Sequence, residues 1–250
     1  MIDFHCHLDL YKDVMNMLPL VAIRNKFTLA VTTSPRAWVI ARKKFSDYSS
    51  IKVALGLHPE IVEQKKNELT YLLGSVSITD FIGEVGLDGS PQYKKTISLQ
   101  EDIFTQILVE CERNDGKIIS IHSRNAAQLV LSQITKHVRQ SIPVLHWFTG
   151  TEKETQQAIE MGCWFSVGPA MLSNSSGRKI ASLLPLDRVL PETDGPFASK
   201  NSLSLMPWDV IDVYRFFGEQ QKISLIIVEE AIQNNLERMA SKIANKRPNF

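Results

Sequence analysis

The chain has 250 residues, 44% of them hydrophobic and 22% charged, with 28 Lys plus Arg against 27 Asp plus Glu and a formal net charge of +1. That apolar content at near-zero charge excludes a disordered chain, and the charge balance excludes a protein that grips nucleic acid through overall basicity. No apolar run approaches the roughly 18 residues of a membrane span.

Short runs rich in Ile, Val, Leu and Phe recur in chain order and predict strands near Ile2–His5, Thr28–Thr32, Lys52–Leu57, Asp80–Val85, Lys117–Ile121, Pro143–Trp147, Cys163–Val167 and Arg188–Glu192. Amphipathic stretches between them predict helices near Tyr11–Asn25, Pro35–Phe45, Ile61–Leu73, Ile97–Asn114, Ala126–Arg139, Glu152–Met161 and Gly177–Leu184. Two more follow near Pro207–Gln221 and Leu225–Ile243, while Phe197–Trp208 lacks a clear period and reads as a long loop. Eight strands alternating with helices predict an α/β fold with a parallel sheet. A (β/α)8 TIM barrel fits a length of about 250 residues; a doubly wound open sheet is the alternative. No linker or repeat divides the chain, so one domain over residues 1–250 is expected.

Cys6, Cys111 and Cys163 are too few and too scattered for a disulfide framework or a cysteine zinc site, and reduced thiols are expected. The N-terminal MIDFHCHLDL has no basic region, apolar core or cleavage site. A cytoplasmic protein with no membrane partner is the expectation.

A barrel builds its site at the C-terminal ends of its strands. The polar residues follow that rule. The first strand ends in Asp3-Phe4-His5-Cys6-His7, and residues two apart on a strand share a face, so His5 and His7 can hold one metal ion. The third run delivers His58 before Pro59, and the fourth carries Glu84 among apolar neighbours, where an unpaired carboxylate is costly. The fifth ends in His122 with Arg124 at the mouth, the sixth in His146, and the seventh in Ser166 and Gly168. The eighth ends in Glu192, Thr193 and Asp194. Five of six histidines thus close strands; the sixth, His137, lies in a basic helical stretch and is expected to be exposed and outside the site. Imidazole with carboxylate suits Zn²⁺, Mn²⁺, Co²⁺ or Ni²⁺ better than Mg²⁺. The set exceeds the needs of one catalytic zinc and suits two ions sharing a carboxylate. Trp147 and Phe148 could stack bases, but core packing is the expectation for both, as for Trp38, Trp164 and Trp208.

HCH, GLHP, GEVGLD, IHSR, LHWF and ETDGP stand in the order found in TatD-type metal-dependent DNases, which the chain resembles from Ile2 to about Ala240. The resemblance implies an amidohydrolase-like (β/α)8 barrel that hydrolyses DNA phosphodiesters with two divalent ions, Zn²⁺, Mn²⁺ or Mg²⁺. It implies His5, His7 and Asp194 on one metal, His122 and His146 on the other, and Glu84 as the bridge. His58 and Arg124 fall on substrate-phosphate positions, and Glu192 on a carboxylate that holds a further metal in some members. The catalytic set implied is Asp194, Glu84 and His58. Asn125 stands where many relatives have Asp, and the stretch after Asp88 is short. GEVGLDGSPQY, HWFTGT, MGCWFSVGPAML and ETDGPF are most similar to the branch found in the Qat anti-phage defence system, which implies a defence role and other Qat-system proteins as partners. The alternatives are an amidohydrolase-type enzyme acting on a non-DNA substrate or adduct, or a non-catalytic subunit of a defence complex. Many hydrolases of that type bridge their metals with a carbamylated lysine on the fourth strand, and the fourth strand here offers Glu84 and no lysine.

Overall fold

In the computed structural model, which describes residues 1–244, all eight expected strands are present as two parallel sheets. The first holds β1 (Ile2–Cys6), β2 (Phe27–Val31) and β3 (Ile51–Ala54) in that order. The second holds β4 (Phe81–Gly86), β5 (Ile118–His122), β6 (Ile142–His146), β7 (Trp164–Val167) and β8 (Val189–Pro191), also in chain order. The sheets meet at both edges. Leu55, just after β3, pairs with Ile82 in a parallel bridge. At the other edge the Asp194 N–H donates to the His5 carbonyl at 2.9 Å, and the His7 N–H to the Gly195 carbonyl at 2.8 Å. Strand order and these bonds are consistent with an α/β fold of the TIM-barrel type. Residues 245–250 of the expected domain lie outside the described residues.

Between the strands run α1 (Val14–Arg24), α2 (Pro35–Lys44), the short α3 (Val62–Lys65) and α4 (Leu69–Ser75), α5 (Ile97–Arg113), α6 (Ala127–His137), α7 (Glu152–Glu160) and α8 (Ser175–Leu183). After β8 come α9 (Ile211–Gln221) and α10 (Leu225–Ala244). The starts are chemically marked. Ser34 caps α2 with Pro35 next to it, and Thr151 with Glu154 forms a full capping box on α7. β1 and β6 are buried on both faces, as parallel strands under helices are, and each buried Val, Leu or Ile contributes about 1.5–3 kcal/mol. Cys6, Cys111 and Cys163 are free and buried.

Three expectations change. The helix expected over Ile61–Leu73 is broken by a 3-10 turn at Lys66–Glu68. There the buried Glu68 carboxylate accepts the Arg36 N–H in the first turn of α2 at 3.0 Å, a position the helix dipole favours. The helix expected from Pro207 starts at Ile211, because Met206–Asp209 is a turn closed by Asp209 on the Met206 N–H. The expected loop Phe197–Trp208 contains a hairpin, β9 (Ser199–Lys200) against β10 (Leu203–Ser204). Asn201 and Ser202 both take left-handed φ, 52° and 63°, which suits a two-residue turn of type I′.

One glycine positions the site directly. A Cβ at Gly56 would fall 1.8 Å from the Thr32 carbonyl oxygen and 2.6 Å from the Glu84 nitrogen. Its absence lets the ends of β2, β3 and β4 converge around Glu84.

Candidate metal centre

Glu84, only 1% exposed on β4, is the hub. Its Oε2 lies 3.1 Å from His7 Nε2 and 3.4 Å from His5 Nε2. Its Oε1 lies 2.6 Å from His122 Nδ1, 3.2 Å from His58 Nε2 and 3.9 Å from His146 Nε2. One carboxylate therefore turns one oxygen to the β1 histidines and the other to the histidines of β3, β5 and β6. Asp194 Oδ1 approaches His5 and His7 Nε2 at 3.8 and 3.7 Å from the far side. Asp194 adopts a left-handed φ of 53°, uncommon for a residue with a Cβ. Its N–H on His5 and its carbonyl on the Ala198 N–H hold it there.

The structure brings together His5, His7, His58, Glu84, His122, His146, Glu192 and Asp194. The ligand atoms within reach of one another form three groups: His5, His7 and Glu84; His5, His146 and Glu192; and His58, Glu84 and His122. His122 thus neighbours His58, while His146 stacks face to face on His5 with centroids 3.6 Å apart. Glu192 accepts from His146 Nδ1 at 2.8 Å and from the Trp147 N–H at 3.1 Å. A carboxylate on the far nitrogen of an imidazole fixes which nitrogen faces the site. Arg124 stands exposed at the mouth; its carbonyl accepts the Gly89 N–H at 2.9 Å, and its guanidinium makes no hydrogen bond or ion pair among the described residues. His137 ends α6 outside these groups, half-buried instead of exposed because it precedes Val138, which packs on the core. Phe148, Trp38 and Trp164 are core residues as expected, and Trp208 is half-buried under the Arg24 guanidinium. Trp147 packs against the core as expected and also lines the cavity beside His146.

Several functional neighbours escape sequence reasoning. Asp88 is fully buried and accepts from His122 Nε2 at 2.9 Å. Its spacing of four from Glu84, on the same side of an extended run, is the signal that points to it. Ser120 pairs with His5 Nδ1 at 2.8 Å. Asp3 accepts from the Thr193 N–H and hydroxyl at 3.0 and 2.6 Å, tying β1 to the segment that carries Asp194.

The electrostatics follow from this crowding. Burial and the neighbouring His146 drive His5 down to about 3, so its imidazole is neutral. Burial also opposes charge on His122 and His146. Asp88 and Glu84 nevertheless hold His122 up at about 9, and Glu192, Asp194 and Glu84 hold His146 up at about 10. Burial opposes ionisation of Glu84 too, but His58, His5 and His122 keep it well below the carboxylate range. Asp194 is raised to about 6, mainly by burial, which its histidine neighbours only partly offset.

Metal fits this arrangement. The Nδ1 of neutral His5 pairs with Ser120, and its buried Nε2 faces the cluster with no hydrogen-bond partner. A buried nitrogen left bare costs about 1–3 kcal/mol, and a cation among imidazoles and carboxylates removes that cost. A buried N/O ligand cluster at the C-terminal ends of parallel strands is the site of a metal-dependent hydrolase.

The chain belongs to the TatD family: the family model described as "TatD related DNase" matches residues 2–241. It is 23% identical to human "Deoxyribonuclease TATDN3", over 97% of this chain and 95% of that protein. It is 29% identical to the "Uncharacterized metal-dependent hydrolase YcfH" of Escherichia coli K12, over 96% and 95%. Among solved structures, YJJV, a TatD homologue from Escherichia coli K12, superposes with a TM-score of 0.86 at 21% identity, covering 96% of this chain and 97% of that one. A TatD family hydrolase from Entamoeba histolytica gives 0.78 at 18%, covering 96% and 97%. The fold is therefore the amidohydrolase-like one expected, and the chain is a metal-dependent hydrolase of the TatD deoxyribonuclease type. Among the described residues no helix is long and apolar enough to cross a membrane.

Proposed function

We propose that this protein hydrolyses DNA phosphodiester bonds from strand ends, using two divalent ions held around Glu84. The observation that carries the reading is the two-sided approach to that carboxylate, with His5 and His7 on Oε2 and His58 and His122 on Oε1. His5, His7 and Asp194 would hold one ion, His122 and His146 the other, with Glu84 between them. When bound, such ions lower the pKa of water and neutralise charge on the attacking and leaving oxygens.

The chain's own residues supply the rest. Glu192 and Asp88 orient His146 and His122. Asp194, whose side chain is 13% exposed and lines the cavity, is placed to accept a proton from the attacking water. Arg124, at the mouth, offers a fork of N–H donors that matches a phosphate. His58, 13% exposed, accepts the Glu60 N–H at Nδ1 and turns Nε2 inward, where it can donate to substrate phosphate or protonate a leaving oxygen. Glu192 has an oxygen on each of two N–H groups, which suits it to positioning, and each oxygen keeps a second lone pair that a further metal could take. A net charge of +1 suits local contact at a strand end, since gripping a long duplex takes several basic phosphate contacts.

An anti-phage role, with other Qat-system proteins as partners in the cytoplasm, is supported by the likeness of GEVGLDGSPQY and HWFTGT to that branch. The test of the reaction is a purified-protein assay on end-labelled single-stranded and duplex DNA with Mg²⁺, Mn²⁺ and Zn²⁺ compared. Shortening of labelled strands that stops with chelator and returns with metal is expected. No cleavage of any DNA, with turnover of an amide or ester, would replace the nuclease reading by the amidohydrolase one.

A further inference from the structure

The cavity beside the metal cluster, about 430 Å³, has a polar wall and an aromatic one. Arg124 and Asn125 form the first and Trp147 the second. Trp147 follows His146 directly, and the next residue, Phe148, takes the core position, 1% exposed and edge-on to Phe165. The backbone at Trp147 passes through a left-handed φ of 37°, which bulky residues rarely adopt. Two bonds from its N–H hold that turn, one to the Ser166 carbonyl at 3.3 Å and one to Glu192 Oε1 at 3.1 Å. Glu192 also accepts from His146 Nδ1, so one buried carboxylate fixes both the imidazole and the turn that carries the indole. The indole stands perpendicular to the His146 ring, with centroids 6.4 Å apart.

We propose that Trp147 is a stacking platform for one unpaired base of the DNA, seated beside the metal cluster. The proposal rests on the nuclease reading and deepens it. Within a duplex both faces of a base are covered by its neighbours; only a terminal or unstacked base has a free face to offer. An indole wall at this place therefore selects strand ends and single strands, and tolerates any base because every base has a π-face. Arg124 across the cavity meets the phosphate while Trp147 meets the base, so together they seat one nucleotide.

The test compares phosphorothioate hexathymidylate, which resists cleavage, with a phosphorothioate deoxyribose chain of the same length and charge but no bases. Binding of both to the Mn²⁺-supplemented protein is read by fluorescence anisotropy. Two variants separate stacking from bulk: Trp147→Leu keeps an apolar side chain and Trp147→Phe keeps an aromatic face. The wild type should prefer the base-bearing chain, and Trp147→Leu should bind it roughly 5- to 150-fold more weakly. Trp147→Phe should retain most of the affinity, and the abasic chain should bind all three alike. Thermal melting checks that each variant is folded, and Trp147→Phe carries the test if Trp147→Leu is not. A wild type indifferent to the bases, an equal loss on both chains, or no loss in Trp147→Leu would overturn the proposal. Base-selective binding without cleavage of natural DNA would sink the nuclease reading and leave the platform standing. Cleavage with unaltered binding in Trp147→Leu would do the reverse.

Discussion

Arg124 and Asp88 separate two kinds of polar residue at this site. The Arg124 side chain is exposed and makes no hydrogen bond or ion pair among the described residues, so truncating it leaves the cluster intact. Arg124→Ala should lower kcat/KM on DNA by roughly 10- to 100-fold, the loss of one or two charge-assisted hydrogen bonds, with metal content unchanged by elemental analysis. A fall in metal content with little loss of turnover would reassign it to structure. Asp88 is buried, and its carboxylate accepts from His122 Nε2 and from the Ser90 N–H. Asp88→Asn should weaken metal binding about 10- to 100-fold, as removal of such outer partners does, in calorimetric titration. Unchanged affinity would show that His122 orients itself. The five strand-end histidines and Asp194 were legible because each follows an apolar run, and Glu84 because a carboxylate stands inside one. Asp88, Ser120 and Asp3 were not, because each acts through a partner 34, 115 or 190 residues away that only folding supplies. Trp147 packs against the core as expected, and it also lines the cavity, where the backbone turns left-handed after His146.

At the scale of elements, the eight strands were legible because parallel strands under helices are unbroken apolar runs. The interruption at Lys66–Glu68 and the hairpin at Ser199–Ser204 were not; a tertiary bond from Glu68 to α2 decides the first, and two consecutive left-handed residues decide the second. Glu112 shows how one side chain joins elements. From α5 it accepts the N–H groups of Arg139, Gln140 and Ser141, which lead into β6, at 3.0, 2.8 and 2.8 Å. Burial alone would raise its carboxyl; the bonds to Ser141, Gln140 and Arg139 outweigh that and hold it below its ordinary value. A depressed folded pKa contributes stability that is present above the unfolded value near ~4.3 and lost as pH falls through the folded one. Glu112→Gln should therefore cost about 1–3 kcal/mol at neutral pH in denaturant unfolding, and the gap should close below about pH 4. A gap that stays constant with pH would mean that the charge plays no part.

For the whole molecule, near-neutral net charge and a buried ligand cluster belong together. A net charge of +1 fits the proposed local contact with a strand end at one mouth of the fold, where the strands deliver their ends. The family match over residues 2–241 and the superposition on YJJV agree with that architecture. Everything converges on Glu84, whose two oxygens face separate groups of histidines. The most direct measurement is DNA hydrolysis by Glu84→Gln, with metal content determined on the same folded sample. Gln keeps the volume and removes the charge shared between the two groups. Hydrolysis should fall by roughly a hundredfold or more, with less metal retained than in the wild type. Metal-dependent hydrolysis at the wild-type rate in Glu84→Gln would contradict a reaction centred on this carboxylate.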